Sequence, residues 1–248
     1  SGFTITRAIQ SRSWPAASAN LEYAAVWGTL ADMGTDVPRI ADGIEVRLIS
    51  TLLEPSGRAE GNPIRLSENS GIGFIGCYVL GMGFVLDVDE AQEWIAADAR
   101  NAEVLFPYLN GEDLNSRPDA SASRWVIDFN DRLEQHAQSY RLPYKRLVER
   151  VKSERATNNR RVYRDYWWQY AEKRPNLRRA IAPLSEVLVL ARVSKTVMPV
   201  RVPSAQVVSD SCVVFATDDY GDQAVLSSSL HQLWAITYGS GMRNDPRY

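Results

Sequence analysis

Two stretches with the period of an α-helix interrupt a chain whose other apolar residues follow the pattern of β-strands. The spacing i, i+3, i+4, i+7 occurs in two sets of residues: Tyr144, Leu147, Val148 and Val151, then Tyr163, Tyr166, Trp167 and Tyr170. This spacing predicts two helices, each with one apolar side. Pro175 can open a third short helix that contains Leu177 and Ile181.

Strands are predicted on both sides of these helices. β-Branched and aromatic residues lie between turn-rich loops in segments 21–30, 44–53, 73–86, 124–129, 186–194, 197–202 and 212–218. A short helix over 89–99, capped by Asp87 or Asp89, and a last helix over 224–239, ended by Gly239, complete the pattern. The order predicts an α+β fold with mostly antiparallel strands in both halves, a central basic helical segment and a C-terminal helix.

The length of 248 residues allows one large domain or two small ones. We find no internal repeat, low-complexity tract or convincing linker in the sequence. We therefore expect one unit over residues 1–248, with a possible subdivision into a β-rich part, 1–130, and a part with helices and β-hairpins, 131–248.

Basic residues are concentrated in the middle of the chain. Residues 141–180 hold 13 of the 28 Lys and Arg residues but only 4 of the 30 Asp and Glu residues, in a chain of formal net charge −2. Such a local field can hold a polyanion whatever the net charge of the chain. A charge-rich helix can also be a solvated face, and charge alone does not choose between the two.

Catalytic and metal-binding patterns are absent from the sequence. Gly71, Gly73 and Gly76 spell GxGxxG, but this motif follows polar residues 67–70 and runs into a predicted strand, so we expect close packing rather than a nucleotide site. His136 and His231 are the two histidines and stand in no zinc-like cluster, and His231 fits a hydrogen-bonded structural histidine. We predict no catalytic residue and no metal ligand.

Cysteine usage and hydropathy predict the compartment. Cys77 and Cys212 are far apart and form no CxxC pair, so neither a disulfide framework nor a zinc site is indicated. No apolar run approaches the roughly 20 residues that span a bilayer, and the first ten residues lack the apolar centre of a secretion signal. We expect a cytoplasmic protein without a membrane partner.

The segments 186–194 and 197–202 carry the candidate base-reading residues. If they pair as a hairpin, Val200 and Val202 face one side and Arg201 the other, with Ser194 near the turn. A hairpin that presents Arg, Lys and Ser can enter a DNA major groove, although a polar hairpin on an open sheet is an equally good interpretation. The candidates are Arg192, Ser194, Lys195 and Arg201.

The arginines of the middle segment are candidates for phosphate contacts. The aromatic residues between them could stack on single-stranded nucleic acid, but their helical spacing favours a core position and leaves Trp168 as the outlier. The arginines would then lie on the exposed side, where they can contact phosphates without reading sequence. The candidates are Arg155, Arg160, Arg161 and Arg164.

Several separate segments resemble one known family, and they occur in that family's order. They are residues 107–129, 151–156, 160–181, 186–195 and 227–248. From about Gly71 to its end the chain resembles the region C-terminal to the catalytic domain in MmeI-like single-chain restriction-modification methyltransferases. The resemblance implies a target-recognition domain that docks in the major groove of duplex DNA. It places base-reading positions near 191–201 and backbone contacts at Asn115, Ser116, Arg117 and Arg124.

The resemblance also implies the rest of the parent enzyme. That enzyme would be an adenine-specific methyltransferase that uses S-adenosylmethionine, with Mg²⁺ only where a nuclease domain is present, in a phage-defence system. The Asn/Asp-Pro-Pro-aromatic loop of such enzymes is missing from this sequence, so we expect no enzyme activity and no cofactor in this chain. Its expected partners are double-stranded DNA and the catalytic domain. The alternatives are a protein-interaction domain that docks on the catalytic domain, or a self-contained enzyme with an unrecognised site.

Overall fold

A computed structural model describes residues 3–15, 21–31, 33–34, 37–49, 53, 67–242 and 245–248. It contains two compact units, Ser1–Leu66 and Ser67–Tyr248. The strands of the first unit are β1 (Thr4–Ser13), β2 (Glu22–Thr29), β3 (Arg39–Ala41) and β4 (Ile44–Val46). They form one sheet in the order β2-β1-β3-β4, in which only β1 and β3 are parallel. Residues 50–52 of the predicted strand 44–53 lie outside the described residues.

The second unit begins with strands and short helices that precede the basic segment. Its first elements are β5 (Gly73–Ile75), β6 (Val85–Leu86), α1 (Val88–Ala97), β7 (Leu105–Leu109), α2 (Gly111–Ser116) and β8 (Arg124–Ile127). Helix α3 (Glu134–Ala137) precedes the basic segment, which contains α4 (Arg141–Arg150), α5 (Lys152–Ala156), α6 (Arg161–Asp165) and α7 (Pro175–Ile181). The remaining elements are β9 (Glu186–Ala191), β10 (Val200–Pro203), β11 (Val207–Val208), β12 (Cys212–Phe215), α8 (Tyr220–Leu226), α9 (Ser229–Tyr238), β13 (Ser240–Met242) and β14 (Asp245–Arg247).

The second unit is built on two four-stranded sheets, which confirms the predicted α+β class with mostly antiparallel strands. One sheet has the order β10-β9-β12-β5 and is antiparallel throughout. The other has the order β11-β7-β8-β6, in which β11 and β7 are parallel. Each sheet joins strands from before and after residue 130. The possible subdivision at residue 130 is therefore not what the fold shows, and the division between compact units falls after Leu66.

The first predicted central helix is present, but it is broken into α4 and α5. Leu147 and Val151 are buried and Tyr144 packs against the same core, whereas Val148 is exposed. α7 begins at Pro175 as predicted, with Leu177 buried. Asp87 occupies the N-cap position of α1, as predicted. Its side chain makes no capping hydrogen bond.

The second predicted central helix is wrong beyond its first turn. α6 ends at Asp165, since Tyr166 leaves the helical conformation with φ −115° and ψ 47°. The chain then follows a different path, so Tyr166 is exposed and Trp168, the expected outlier, is buried. The indole of Trp168 donates a hydrogen bond to the carbonyl oxygen of Arg132 at 3.0 Å. Trp167 and Tyr170 are buried in the same core, as predicted.

The predicted helix over 224–239 is two helices, α8 and α9, with a break at Ser227 and Ser228. The Ser228 hydroxyl accepts a hydrogen bond from the backbone N–H of His231 at 3.2 Å and so caps α9. The break changes which side chains share a face. Leu226 packs on the core, but Leu230 is 78% exposed and Leu233 63% exposed, so the prediction of one leucine-lined side is wrong.

Of the three glycines in the GxGxxG pattern, Gly76 serves close packing, as predicted. The segment runs from a turn at Gly71 (φ 81°) into strand β5 instead of opening a helix. A Cβ on Gly76 would lie 2.1 Å from the carbonyl oxygen of Ser209, because Gly76 packs directly against that backbone. Among the residues that the structure describes, no helix has the length and apolar character needed to cross a membrane.

We predict that Gly76→Ala destabilises the fold by more than about 2 kcal/mol, because neither backbone can move away without breaking the sheet. Gly73→Ala is the matched control, since its added Cβ meets the nearest atom, on Phe215, at 3.9 Å. Urea unfolding monitored by tryptophan fluorescence measures both. Equal midpoints for the two variants would contradict the close approach at Gly76.

Candidate nucleic-acid interface

The hairpin predicted from residues 186–202 is present. β9 and β10 pair antiparallel with Val200 opposite Val189 and Val202 opposite Val187. Val202 is buried in a core cluster and Val200 packs against that cluster, so Arg201 between them faces the other side of the sheet. The alternation predicted from the sequence therefore holds.

The loop 192–199 joins the two strands and presents two of the predicted residues. Val197 is buried and anchors the loop to the core. Ser194 accepts a hydrogen bond from the backbone N–H of Thr196 through its hydroxyl at 3.3 Å. Lys195 is exposed and makes no hydrogen bond or ion pair to the residues that the structure describes. Its ammonium group is the cation of this loop that is free to contact a ligand.

Helix α2 packs beside this loop and holds it. Asn110 and Asp113 form a capping box at the start of the helix, which fixes its first turn. Asn115, at the other end, donates a side-chain hydrogen bond to the carbonyl oxygen of Val193 at 3.0 Å. The Ser116 hydroxyl donates to the carbonyl oxygen of Glu112 at 2.6 Å. Asn115, which is predicted to contact the DNA backbone, is thus hydrogen-bonded to the loop that is predicted to read bases.

Two neighbouring cavities are lined by five of the residues predicted for the site. A cavity of about 590 Å³ is lined by Asn115, Ser116, Arg192, Asp210 and Arg247, among others. A second cavity, of about 280 Å³, is lined by Asn115, Ser194, Thr196, Arg201 and Gln223, among others. Asn115 lines both cavities. We call the two cavities and the loop 192–199 the recognition surface.

The guanidinium groups of Arg192 and Arg201 are already partly bonded within the chain. Arg192 donates through Nη1 to the carbonyl oxygen of Asp210 at 2.9 Å. Arg201 donates to Gln223 and to the carbonyl oxygen of Asp218, and its side chain is only 14% exposed. Both arginines are therefore held in fixed orientations rather than extended into solvent.

Arg117 and Arg124 do not line either cavity. Arg117 donates two hydrogen bonds to the Ser121 hydroxyl, at 3.0 and 2.8 Å, in the loop between α2 and β8. Arg124 is exposed at the start of β8, opposite Tyr108 in the sheet. Asn115 and Ser116 therefore line the cavities, whereas these two arginines do not.

Arg155 is a structural residue, and its prediction as a phosphate contact is wrong. Its side chain is 1% exposed and donates to the carbonyl oxygens of Val79, Leu80 and Gln169. Burial lowers the pKa of this guanidinium, because desolvation disfavours its charged form. Leu80 has φ 53°, a left-handed conformation that Arg155 stabilises through two hydrogen bonds to its carbonyl oxygen.

Four further basic residues of the middle segment are paired with acidic residues of the chain. Arg146 pairs with Glu90 at 2.6 Å, Arg178 pairs with the buried Asp128 at 2.7 Å, and Lys173 and Arg174 pair with acidic neighbours. Arg146 also donates hydrogen bonds to the carbonyl oxygens of Gly83 and Val85. These internal bonds reduce the positive charge that the segment can offer to a polyanion.

The other predicted arginines of the segment are exposed and lie on one short stretch. Arg161 is 84% exposed and pairs with Asp165 at 3.1 Å. Arg164 donates to the carbonyl oxygen of Asn158 at 2.5 Å, and Arg160 donates to the Tyr163 hydroxyl at 2.6 Å. Arg160 and Tyr163 also line a cavity of about 580 Å³ on this side of the unit. Bonds of this exposed kind are weak and can exchange for phosphate oxygens.

The cysteines and His231 have structural surroundings. Burial raises the pKa of Cys77 to about 11 and that of Cys212 to about 12, so both are protonated thiols near neutral pH and poor nucleophiles. The ring nitrogens of His231 bond to the carbonyl oxygen of Leu226 at 2.6 Å and to the Tyr248 hydroxyl at 3.0 Å, as expected of a structural histidine. Within the described ranges no cluster of His, Cys, Asp and Glu could hold a metal ion.

Sequence reasoning missed Gln223 and Tyr220, which lie beside Arg201. Both residues lie on α8. The sequence pattern predicted one long helix that begins at residue 224, so both residues fell before its start. Asp219 was the available signal, since Asp is a preferred N-cap residue and its carboxylate accepts from the backbone N–H groups of Gly221 and Asp222. A helix that begins at Tyr220 turns Gln223 towards β10.

Polar and basic side chains thus gather around the hairpin of β9 and β10. The family model described as "MmeI, target recognition domain" matches residues 74–248. The chain belongs to this family of target recognition domains. The predicted family is thereby confirmed.

One solved structure shares the fold over the whole chain. It is described as the Type IIL restriction-modification enzyme MmeI in complex with DNA, with a TM-score of 0.70 and 16% sequence identity. The match covers 100% of this chain and 34% of the other, so the chain spans about a third of that enzyme. No curated protein sequence matches the chain at a significant level.

We predict that Arg155→Met lowers the free energy of unfolding by about 2–4 kcal/mol, because it leaves buried carbonyl oxygens without donors. Arg161→Met is the control and should stay within about 0.5 kcal/mol of the wild type, since its side chain is exposed. Thermal unfolding followed by circular dichroism compares them. A wild-type melting temperature for Arg155→Met would show that Arg155 is not structural.

Proposed function

We propose that this chain recognises a specific sequence in duplex DNA as the non-catalytic specificity part of an S-adenosylmethionine-dependent, adenine-specific DNA methyltransferase of a restriction-modification system. The observation that carries the proposal is the recognition surface, where residues from β9, β10, α2 and α8 meet in a family of target recognition domains. The related enzyme's description as a complex with DNA supports the choice of ligand.

Base reading is assigned to Arg192, Ser194, Lys195 and Arg201. A turn between two paired strands can enter a major groove, where each base pair shows a distinct set of donors and acceptors. Lys195 is the most exposed of the four and offers only donors, which suit guanine O6 and N7. The bonds that hold Arg192 and Arg201 support this assignment, because a fixed orientation lowers the entropy lost on binding.

Phosphate contacts are assigned to the exposed polar and basic residues around the recognition surface and on the middle segment. They are Asn115, Ser116, Arg117, Arg124, Arg160, Arg161 and Arg164. Such contacts fix the register of a protein on the duplex but carry no direct sequence information. Arg155 is removed from this set because its guanidinium is buried.

The catalytic parts belong elsewhere in the parent enzyme. The GxGxxG residues of this chain form a turn and a strand, so they do not fit the phosphate-cradling turn that a nucleotide-like cofactor needs. S-Adenosylmethionine is therefore proposed for the catalytic domain, and Mg²⁺ only for a nuclease domain if one is present. The proposed compartment is the cytoplasm, where such enzymes meet their DNA.

The second proposed partner is the catalytic domain of the same parent enzyme. Leu230, Leu233, Trp234 and Ile236 of α9 are all at least half exposed and uncharged. A group of large apolar side chains on one exposed helix is typical of a contact with another protein surface. This contact would be additional to DNA recognition, since it uses a different helix.

We predict that the chain binds duplex DNA with an affinity that falls by tenfold or more between about 50 and 200 mM salt, because bound phosphates release counterions. Fluorescence anisotropy with a labelled duplex at several salt concentrations measures the slope. Affinity that is independent of salt, or the absence of duplex binding, would contradict the proposed function.

We predict that Lys195→Ala and Arg161→Ala weaken binding in different ways. The first should reduce discrimination at one base pair by about 1–3 kcal/mol, because Lys195 is assigned to a base edge. The second should weaken all duplexes alike and reduce the salt slope by about 1. Competition binding against single-base variants of a selected duplex separates the two effects. Equal losses on every duplex from both variants would remove Lys195 from the base-reading set.

A further inference from the structure

We propose that Gln223 is a specificity-determining residue, and that it presents two hydrogen-bond donors to a guanine together with Arg201. The inference rests on the proposed function, because it names the base that one part of the recognition surface selects. It concerns a side chain on α8 that none of the sequence patterns identified.

The guanidinium of Arg201 is held on several sides. Its Nε and Nη2 donate to Gln223 Oε1 at 3.2 and 3.0 Å, and its Nη1 donates to the carbonyl oxygen of Asp218 at 2.9 Å. Glu186 Oε2 lies 3.5 Å from Nη1. The ring of Tyr220 stacks against the guanidinium at 4.1 Å, a cation–π distance. The side chain therefore cannot rotate without breaking several contacts.

The orientation of the Gln223 amide follows from the chemistry of its partner. Arginine has five N–H donors and no acceptor, so only the oxygen of the amide can face it. The amide nitrogen must then point away from Arg201. That nitrogen makes no hydrogen bond to the part of the chain that the structure describes, and Gln223 lines the cavity of about 280 Å³.

Within the pair of Gln223 and Arg201, only hydrogen-bond donors remain unbonded. Gln223 keeps the N–H₂ group of its amide, and Arg201 keeps a second hydrogen on Nη2. A free glutamine pairs with adenine because it offers one donor and one acceptor. Here Gln223 Oε1 already accepts hydrogen bonds from Arg201. The pair can therefore bind a base edge that presents two acceptors. Guanine presents two acceptors, O6 and N7, in the major groove, and adenine presents an acceptor beside a donor.

The start of α8 is rigid enough to hold Gln223 in place. The Asp219 carboxylate accepts hydrogen bonds from the backbone N–H groups of Gly221 at 2.6 Å and Asp222 at 3.1 Å. The Thr217 hydroxyl donates to the Asp222 carboxylate at 2.6 Å. Gln223 is therefore positioned by a fixed helix end on one side and by a β-strand arginine on the other.

The test selects preferred sequences from a randomised duplex library with the 248-residue chain and its variants. The wild type should require guanine at one position. Gln223→Glu keeps the bond to Arg201 and exposes an acceptor in place of a donor, so that position should change to cytosine or adenine, whose amino groups donate. Gln223→Ala should reduce the guanine preference about tenfold at that position only.

Gln232→Glu is the matched control, since it makes the same chemical change on an exposed residue of the next helix. It should leave the selected sequence unchanged, and thermal unfolding of each variant shows that the fold is kept. Duplex binding by Gln223→Glu and Gln223→Ala with the wild-type base preference would overturn this inference and leave the proposed function standing. Failure of the wild type to bind any duplex would instead contradict the proposed function.

Discussion

The position of strand β9 is the constraint on which the recognition surface depends. β9 is the strand between β10 and β12, and its side chains are divided between two cores. Val187 and Val189 lie in one cluster, and Leu188 and Leu190 lie in the other. A strand buried on both faces can neither slip nor tilt without exposing one of its cores. The loop that follows it is therefore held in one place, where Asn115 of α2 bonds to Val193 and Gln223 of α8 lines the same cavity as Ser194.

The basic residues of the molecule are divided between two physical roles. Arg155 and Arg178 are buried or paired and stabilise the packing of the middle segment, whereas Arg161 and Lys195 are exposed and can exchange their surroundings for a ligand. Charge concentration in a sequence therefore overstates the cationic surface of the fold. The remaining exposed cations lie on a framework that internal arginines make rigid.

The alternation of residues along β9 and β10 predicts the hairpin and the face of Arg201 correctly, because period two follows from strand geometry alone. The helical spacing of Tyr163 to Tyr170 misleads, since Tyr166 leaves the helix and local spacing carries no information about where a helix ends. The burial of Arg155 is unpredictable for a similar reason: its acceptors are carbonyl oxygens about 75 residues away, at Val79 and Leu80. The contact of Gln223 with Arg201 depends on the tertiary placement of α8 against β10.

Amide hydrogen exchange, measured on the chain alone and saturated with its selected duplex, tests most directly whether the surface after β9 is where DNA is recognised. Direct contact should slow exchange in the loop 192–199 and at the start of α8, because bound DNA restricts the openings that allow exchange. Unchanged exchange in both segments, with protection confined to residues 141–164, would contradict the account.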